Sequence, residues 1–249
     1  MTGFFAFMAV FTAVIIVHEF GHYLAAKKLC VKVYEFSIGF PFSPRIATLF
    51  RIRETEFTIR LLPLGGFVSF SGNDDADSPR FLKTARWKRA IISAAGPVFN
   101  IAFAFLILTP AFFFGKGLPV YDSLALSASS IIDGFSGLLN ILASFISGAG
   151  SISQLSGPIG IAHIAGKAAN AGFFDLLYFT GLLSLSLGIF NLLPLPALDG
   201  GHLVILLIES IKKRPMTDRA YQVIGAVGIS FFLILTAVVS YKDILKIMY

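Results

Sequence analysis

The feature that most constrains this chain is an HEFGH motif at residues 18–22, set in a long apolar segment. His18 and His22 are four residues apart, so a helix places both imidazoles on one face, as two ligands of a single metal ion require. Glu19 follows the first histidine and can take a proton from water at that metal. It is the only charged residue between positions 3 and 26, and an ionised group in hydrocarbon is costly. We therefore predict a functional metal site on a membrane helix rather than two histidines packed by chance.

The composition indicates that the solvent around this chain is lipid. Of the 249 residues, 56% are hydrophobic and only 14% are charged, and the mean hydropathy is +0.81, which argues against a soluble globular protein. The first apolar run is too long for a signal peptide, so we interpret it as a membrane helix of the mature protein. The single cysteine, Cys30, excludes an intrachain disulfide.

We predict an α-helical integral membrane protein that forms a single domain over residues 1–249. Each of its four transmembrane helices supplies the roughly 20 apolar residues that a bilayer crossing needs. The predicted spans are residues 1–27, 90–114, 173–209 with an interruption, and 221–241. Alternating β-formers at residues 31–70 predict a small membrane-associated antiparallel β-sheet. Residues 115–172 are predicted to form an outer-side linker with an amphipathic helix at residues 123–146.

The sheet region includes a turn, PLGG at residues 63–66, before its last strand. An open sheet edge cannot face lipid, so we expect this sheet to be paired or to face a protein cavity. An ordinary cytoplasmic hairpin domain without function is the alternative. The acidic loop at residues 71–79 is interpreted as a solvated turn, because no ring of calcium ligands follows it.

The basic residues predict the orientation in the membrane. Sixteen of the 20 lysines and arginines lie between spans one and two or between spans three and four. The remaining four are Lys116, Lys167, Lys242 and Lys246. Basic loops stay in the cytoplasm, so both termini are expected outside it. This placement also argues against nucleic acid as a partner, in spite of the net charge of +6.

A second chemical cluster interrupts the third span, in the segment NLLPLPALDGGH at residues 191–202. Two prolines and two glycines break a helix at membrane depth, which is tolerated where the backbone lines a cavity. Asp199 is the one acid in this segment. Its simplest partner is the metal held by His18 and His22, which would leave a fourth position open for water. A helix-capping Asp199 and a ligating His202 are the alternatives.

These motifs resemble those of the site-2 protease family of intramembrane zinc metalloproteases, and most closely its bacterial branch that cuts anti-sigma factors. The matching motifs are HEFGH, GPVFN at residues 96–100, SGP at residues 156–158 and NLLPLPALDGG at residues 191–201. The resemblance implies that Zn²⁺ is bound by His18, His22 and Asp199 and that Glu19 is the catalytic base. It also implies that Asn191 positions the substrate or the transition state.

The resemblance further implies that a sheet edge near Gly65 and Gly66 pairs with an unwound substrate segment. Asn100 in the second span is expected to face the bundle interior, either as a packing residue or in contact with substrate. The implied activity is hydrolysis of a peptide bond within the transmembrane segment of single-pass membrane proteins. Anti-sigma factors and signal-peptide remnants are the implied substrate types, and the lipid bilayer of the bacterial inner membrane is the implied location.

Two features depart from that family. Members of the bacterial branch usually carry one or two PDZ domains between spans two and three, where this chain has only about residues 115–122. Ser186 stands where some relatives carry an asparagine, five residues before Asn191. Two other classes of protein stay open: a membrane protein that transports or senses metal, and a zinc-structured binder of membrane helices without protease activity.

Overall fold

The computed structural model describes residues 2–41, 43–62, 65–70, 81–148 and 156–248, so the predicted acidic turn at residues 71–79 lies outside the described part. The helices are α1 (Thr2–Lys28), α2 (Arg86–Pro110), α3 (Val120–Ile146), α4 (Pro158–Ala171), α5 (Phe173–Asn191), α6 (Asp199–Lys212) and α7 (Asp218–Met248). The strands are β1 (Glu35–Ile38), β2 (Arg45–Ile52), β3 (Thr55–Arg60) and β4 (Gly66–Ser69). A π-helical turn, Ala111–Gly115, continues α2.

Among the described residues, five helical segments are long and apolar enough to cross a membrane. They are Gly3–Lys28, Arg86–Gly115, Val120–Ser144, Phe173–Asn191 and Arg219–Lys246. The predicted count of four spans is therefore not confirmed. The additional candidate belongs to α3, which the sequence pattern placed at the outer surface.

Helix α3 differs from an ordinary surface helix in the direction its polar side chains face. Ser123 and Ser127 are fully buried, whereas Ile132 and Leu139 are 68% and 64% exposed. The hydroxyl of Ser127 donates to the carbonyl oxygen of Ser123 at 2.8 Å and accepts from the hydroxyl of Thr109 at 3.1 Å. A helix that satisfies its hydroxyls internally and turns its apolar side chains outward suits a hydrocarbon environment.

The interruption predicted in the third span is a complete break between two helices. Helix α5 ends at Asn191 and α6 begins at Asp199, with turns between them. Pro194 and Pro196 supply no backbone N–H, so a continuous helix cannot pass through this segment. Helix α6 has 14 residues. At about 1.5 Å per residue it is too short to cross a hydrocarbon core of about 30 Å.

The β-sheet has the strand order β2-β3-β1-β4, and it is mixed rather than antiparallel as predicted. Strand β1 pairs in parallel with β3, while the β1–β4 and β2–β3 pairs are antiparallel. Burial explains the correction. Thr55 and Thr58 of β3 are buried and its Phe57 packs on Phe36 of β1, whereas every residue of β2 is exposed. Strand β3 therefore takes the inner position and β2 becomes an edge.

The chain divides into two compact units, which we call the site unit and the second unit. The site unit contains Phe11–Asn100 and Asn191–Gly225, and the second unit contains Met1–Val10, Ile101–Phe190 and Ala226–Tyr249. In the site unit, α1, the chain after it, β1 and α2 supply the core residues Tyr23, Ala26, Val33, Phe36 and Ile92. In the second unit, α2 and α5 supply the core residues Ala104, Leu185 and Ile189.

Candidate metal centre

The two histidines of α1 form one side of a candidate metal centre in the site unit. They lie one helical turn apart and are buried, with 7% of His18 and 9% of His22 exposed. Their Nε2 atoms are 3.2 Å apart. The helix thus brings two ring nitrogens to one position, as the four-residue spacing predicted.

Asp199, the first residue of α6, supplies the third side of the centre. Its Oδ2 lies 3.0 Å from Nε2 of His18, and its Oδ1 lies 3.5 Å from Nε2 of His22. Two residues before it, Ala197 has a φ of 70°, in the left-handed region that costs a non-glycine residue about 1–3 kcal/mol. The strained residue therefore lies in the turn that positions Asp199 beside the two histidines.

The spacing of these atoms fits a zinc ion. Zinc binds nitrogen and oxygen at about 2.0–2.2 Å in tetrahedral geometry, which separates its ligand atoms by about 3.4 Å. The observed separations are 3.0, 3.2 and 3.5 Å. Within the described ranges, His18, His22 and Asp199 are the one group of side chains found that could hold a metal ion. Two imidazoles and a carboxylate leave a fourth position open, as in catalytic zinc sites.

Each histidine has a partner behind it that sets the orientation of its ring. Nδ1 of His22 donates to the carbonyl oxygen of Ile92 at 2.7 Å, which leaves the lone pair of Nε2 for a metal. Nδ1 of His18 lies 3.3 Å from Nδ2 of the side-chain amide of the fully buried Asn100. With the amide turned over, its oxygen accepts from Nδ1–H and leaves the lone pair of Nε2 for a metal. Such outer partners fix the tautomer of a metal-binding histidine. Besides the two predicted alternatives, packing and substrate contact, Asn100 is thus placed to orient the ring of His18.

Glu19 extends from α1 toward the edge strand β4. A Cβ atom at Gly66 would lie 3.0 Å from Cγ of Glu19 and 3.1 Å from Cγ2 of Ile15, so only glycine lets the strand approach the helix this closely. The Glu19 carboxylate lies beside the backbone amide of Val68. The candidate base is therefore adjacent to an open strand edge.

Gly96 of α2 has a role that sequence reasoning missed. A Cβ atom there would lie 2.4 Å from Nε2 of His22 and 2.9 Å from Cε1 of His18. The backbone of α2 therefore passes directly against the two imidazoles. The GP pair at the start of the GPVFN motif was the available signal, but spacing alone does not show what a glycine faces.

The two glycines after Asp199 were predicted to help break the helix, but both lie within the first turn of α6. Cβ atoms at Gly200 and Gly201 would lie 2.3 Å from the carbonyl oxygen of Leu192 and 2.1 Å from that of Leu195. The first turn of α6 therefore packs on the backbone of the turn that precedes it. This close packing holds Asp199 at the start of the helix.

The remaining predicted site residues are placed outside this group. Asn191 is the last residue of α5 and is half-buried. Gly65 has a φ of 115°, and its carbonyl oxygen accepts from the backbone N–H of Gly39 at 2.9 Å, so the turn itself requires glycine. His202 is exposed and does not belong to the ligand group. Substrate contacts of Asn191, Gly65, Gly66 and Asn100 stay predictions.

Comparison with known proteins agrees with this geometry. The family model described as Peptidase family M50 matches residues 6–235. A protein of Clostridium acetobutylicum named as a zinc metalloprotease is 26% identical over 324 aligned positions, which cover 94% of this chain and 95% of that protein. The alignment is longer than the 249 residues here, so that relative carries segments with no counterpart in this chain.

Two relatives match more closely over a shorter part of the chain. The regulator of sigma-W protease of Bacillus subtilis is 36% identical over 128 residues, which cover 51% of this chain and 30% of that protein. The regulator of sigma E protease of Haemophilus influenzae is 43% identical over 109 residues, which cover 44% of this chain and 25% of that protein. The chain therefore belongs to Peptidase family M50, the site-2 protease family that its motifs predicted, and it is a zinc metalloendopeptidase of a bacterial membrane.

Proposed function

We propose that this protein hydrolyses a peptide bond within the transmembrane segment of single-pass membrane proteins, in regulated intramembrane proteolysis. Anti-sigma factors and signal-peptide remnants are the proposed substrates. His18, His22 and Asp199 are the proposed zinc ligands and Glu19 the proposed catalytic base. The single observation that carries the proposal is the convergence of these three ligands at zinc spacing beside Glu19.

The depth of the motif supports cleavage inside the membrane. The candidate span of α1 runs from Gly3 to Lys28, and the motif lies in its second half. From His18 to Lys27 the helix rises about 14 Å at about 1.5 Å per residue, roughly half of a hydrocarbon core of about 30 Å. A bond cut at this depth belongs to a membrane-embedded segment of the substrate.

The proposed chemistry divides between the metal and the protein. Zinc, when bound, supplies a Lewis acid that acidifies water and polarises the substrate carbonyl. Glu19 accepts the proton of the attacking water and delivers a proton to the leaving amine. Ile92 and Asn100 hold the two imidazoles in the orientation that directs Nε2 toward Asp199.

A helical substrate must unwind before its carbonyl can be attacked, because its carbonyls are engaged in hydrogen bonds within the helix. We propose that the unwound segment adds to the open edge of β4 and thereby recovers hydrogen bonds that lipid cannot supply. Strand β4 is an edge strand in the observed order. The backbone N–H of Gly39 donates to the carbonyl oxygen of Gly65, and along an antiparallel pair every second residue directs its backbone groups to the partner strand. Phe67 therefore directs its N–H and C=O groups toward β1. Gly66 and Val68 direct theirs away from the sheet.

The substitution Glu19→Gln tests the proposed function. We expect cleavage of a model single-pass helix by the purified protein to fall about 10²–10⁴-fold, because a proton-transfer group is lost. Zinc content, measured by elemental analysis, should stay at about one ion per chain, as one three-ligand site requires. Unchanged cleavage would contradict the protease assignment and favour a metal transporter or a zinc-structured binder of membrane helices.

The substitution Val68→Pro tests strand addition. It removes an outward N–H of β4 that also lies beside the Glu19 carboxylate, and we expect cleavage to fall at least tenfold, as the loss of one hydrogen bond of about 1–1.5 kcal/mol implies. A substrate with methylated backbone amides leaves the contact of Val68 with Glu19 intact and therefore tests the strand edge alone. Val68→Ala keeps the N–H and is the matched control. Methylation of the substrate's backbone amides near the cleaved bond should weaken cleavage by the unaltered protein as well. Normal turnover by Val68→Pro with unchanged zinc would refute strand addition.

We also propose that residues 1–249 form one proteolytic domain in the bacterial inner membrane, with both termini outside the cytoplasm and the basic loops inside. Two outer termini require an even number of crossings, so on this proposal α3 does not complete a crossing. Cys30 is the only cysteine of the sequence, is exposed and follows α1. A membrane-impermeant maleimide should label Cys30 in opened vesicles only, and labelling of intact cells would reverse the proposed orientation.

A further inference from the structure

A cleft of about 340 Å³ in the second unit lies apart from the catalytic motifs, between α4 and the end of α7. Its lining includes the side chains of His163, Lys167, Lys242 and Lys246. These three lysines are three of the four basic residues that lie outside the two basic loops. Most of the basic residues outside the two basic loops thus line one cleft.

One acidic residue, Asp243, also lines this cleft, and its carboxylate is already engaged. It is 4% exposed, and Oδ2 accepts hydrogen bonds of 2.8 Å from the backbone N–H groups of Gly157 and Gly160 at the start of α4. These amides carry the partial positive charge of a helix N-terminus and stabilise the carboxylate. Asp243 therefore joins α4 to α7, and the described lining of the cleft carries three lysines and one acid.

The start of α1 and the end of α7, both within the second unit, place this cleft at the boundary of the hydrocarbon. The candidate span of α7 ends at Lys246, a lining residue. The candidate span of α1 begins at Gly3, and a Cβ atom at Gly3 would lie 2.9 Å from Cα of Gly166, the neighbour of Lys167. Lysines at the ends of membrane helices lie at the depth of the lipid headgroups.

We propose that this cleft binds the phosphate of an anionic phospholipid headgroup. The charge of the cleft complements a phosphate, and basic pockets between membrane helices are suited to acidic lipid heads. The position of the cleft favours a lipid over a free anion, because the acyl chains can remain in the hydrocarbon beside α7 while the phosphate meets the lysines. The bound lipid joins α4 to the end of α7 at the membrane surface.

The test compares lipid retention by the full-length protein and its variants. The protein is reconstituted with equal amounts of phosphatidylglycerol and phosphatidylcholine, released into detergent, and analysed by native mass spectrometry for bound lipid. We expect phosphatidylglycerol to be retained in preference. Each lysine-to-glutamine change among Lys167, Lys242 and Lys246 should weaken retention about fivefold, in line with the contribution of one basic residue near a membrane surface.

Lys116→Gln is the matched control, because it removes the same charge from the same unit at a site over the rings of Phe112 and Tyr178. A triple variant changes Lys167, Lys242 and Lys246 to glutamine together. Equal losses of retention in Lys116→Gln and in this triple variant, or no loss in either, would overturn the site. Inorganic phosphate is titrated as a second arm, and binding of phosphate with no lipid preference would overturn the lipid assignment. If the triple variant fails to fold, the single change at the exposed Lys167 carries the same comparison.

Discussion

Two clusters of buried charged side chains lie in the site unit, and they differ in what their polar atoms face. In the metal centre, Nε2 of His18, Nε2 of His22 and the carboxylate of Asp199 converge on one another. In the second cluster, Arg89 donates to Glu209 at 3.1 Å. The other oxygen of Glu209 accepts from the hydroxyl of Tyr221 and from the backbone N–H of Met216, both at 2.9 Å. Arg89 and Glu209 are 3% and 1% exposed.

The arrangement of donors and acceptors therefore distinguishes buried charges that stabilise the fold from buried charges that are placed to bind a metal ion. Burial of an ionised group is costly unless it is paired and hydrogen-bonded. The second cluster meets most of that cost internally, since donors face acceptors at all its described polar atoms except the buried Nε of Arg89, which has no hydrogen-bond partner. The metal centre gathers electron-pair donors at one point, an arrangement that a cation stabilises. The Arg89–Glu209 cluster is therefore expected to matter for stability, and the candidate metal centre for zinc binding and turnover.

The largest expected effect is that of Asp199→Ala. Loss of an outer partner of a metal ligand lowers metal affinity by up to about 100-fold, so removal of Asp199, a proposed ligand, should lower zinc affinity by more than that. It should also abolish cleavage of a transmembrane substrate. The free energy of unfolding of the metal-free protein should change by less than about 2 kcal/mol, because the Asp199 side chain is 17% exposed and water can replace its carboxylate as a hydrogen-bond partner of the imidazoles. Elemental analysis after dialysis and unfolding in mixed detergent measure the two quantities. Full zinc retention by Asp199→Ala would contradict the assignment of this cluster to metal binding.

Glu209→Ala should have the opposite profile. Arg89 is left buried without its carboxylate, which destabilises a protein by about 3–5 kcal/mol. The zinc content of the folded fraction should be unchanged. The double variant Arg89→Met with Glu209→Met removes both charges and should recover most of the stability. If Glu209→Ala instead lost zinc at full stability, the cluster would belong to the metal centre.

Gly96→Ala sharpens the comparison without removing a ligand. The new Cβ would meet the imidazole of His22, so we expect zinc affinity to fall about 10–100-fold, as when a ligand loses its orientation. Gly225→Ala is the control, since nothing lies within 4 Å of a Cβ atom there and alanine is the better helix former. Equal zinc affinities of the two variants would refute the close approach of α2.

The smallest effect is expected at a pair outside the core, Lys27 and Glu54, whose side chains are 24% and 37% exposed and whose Nζ and Oε1 atoms are 2.6 Å apart. The hydrogen bond from Lys27 lowers the pKa of Glu54. Any stability from this pair is present above the usual pKa of a glutamate and is lost as the pH falls. Solvent screens the pair, so Glu54→Gln should change the free energy of unfolding by less than about 0.5 kcal/mol, measured at neutral and acidic pH. A larger change in the free energy of unfolding would show that this solvent-accessible pair contributes to stability as the buried Arg89–Glu209 pair does.

The predictable part of the site is the part that depends on local geometry or on chemical necessity. The four-residue spacing of His18 and His22 sets their relation on any helix. Asp199 lies far along the chain, yet an acid in a broken apolar helix needs a partner, and the histidines were the available one. The family assignment followed from these motifs and was confirmed by the match over residues 6–235.

The parts that could not be predicted depend on which backbones come into contact. The positions of Gly96 and Asn100 in the sequence do not show that the backbone of α2 packs against the imidazoles of His18 and His22. The sheet was predicted as antiparallel because alternation reports burial and not the order of strands, and burial of Thr58 placed β3 inside. The role of α3 was equally hidden, because apolar residues at helical spacing do not reveal which face meets lipid.

The sequence by itself determined the solvent, the helical histidine pair, the break before Asp199 and the chemistry that these residues share, because each follows from local covalent spacing or from the cost of charge in hydrocarbon. Only the tertiary structure decided the approach of α2, the orientation of His18 by Asn100, the edge position of β4 and the pairing of Arg89 with Glu209. Those features join segments distant in sequence, and side-chain packing rather than sequence spacing selects them.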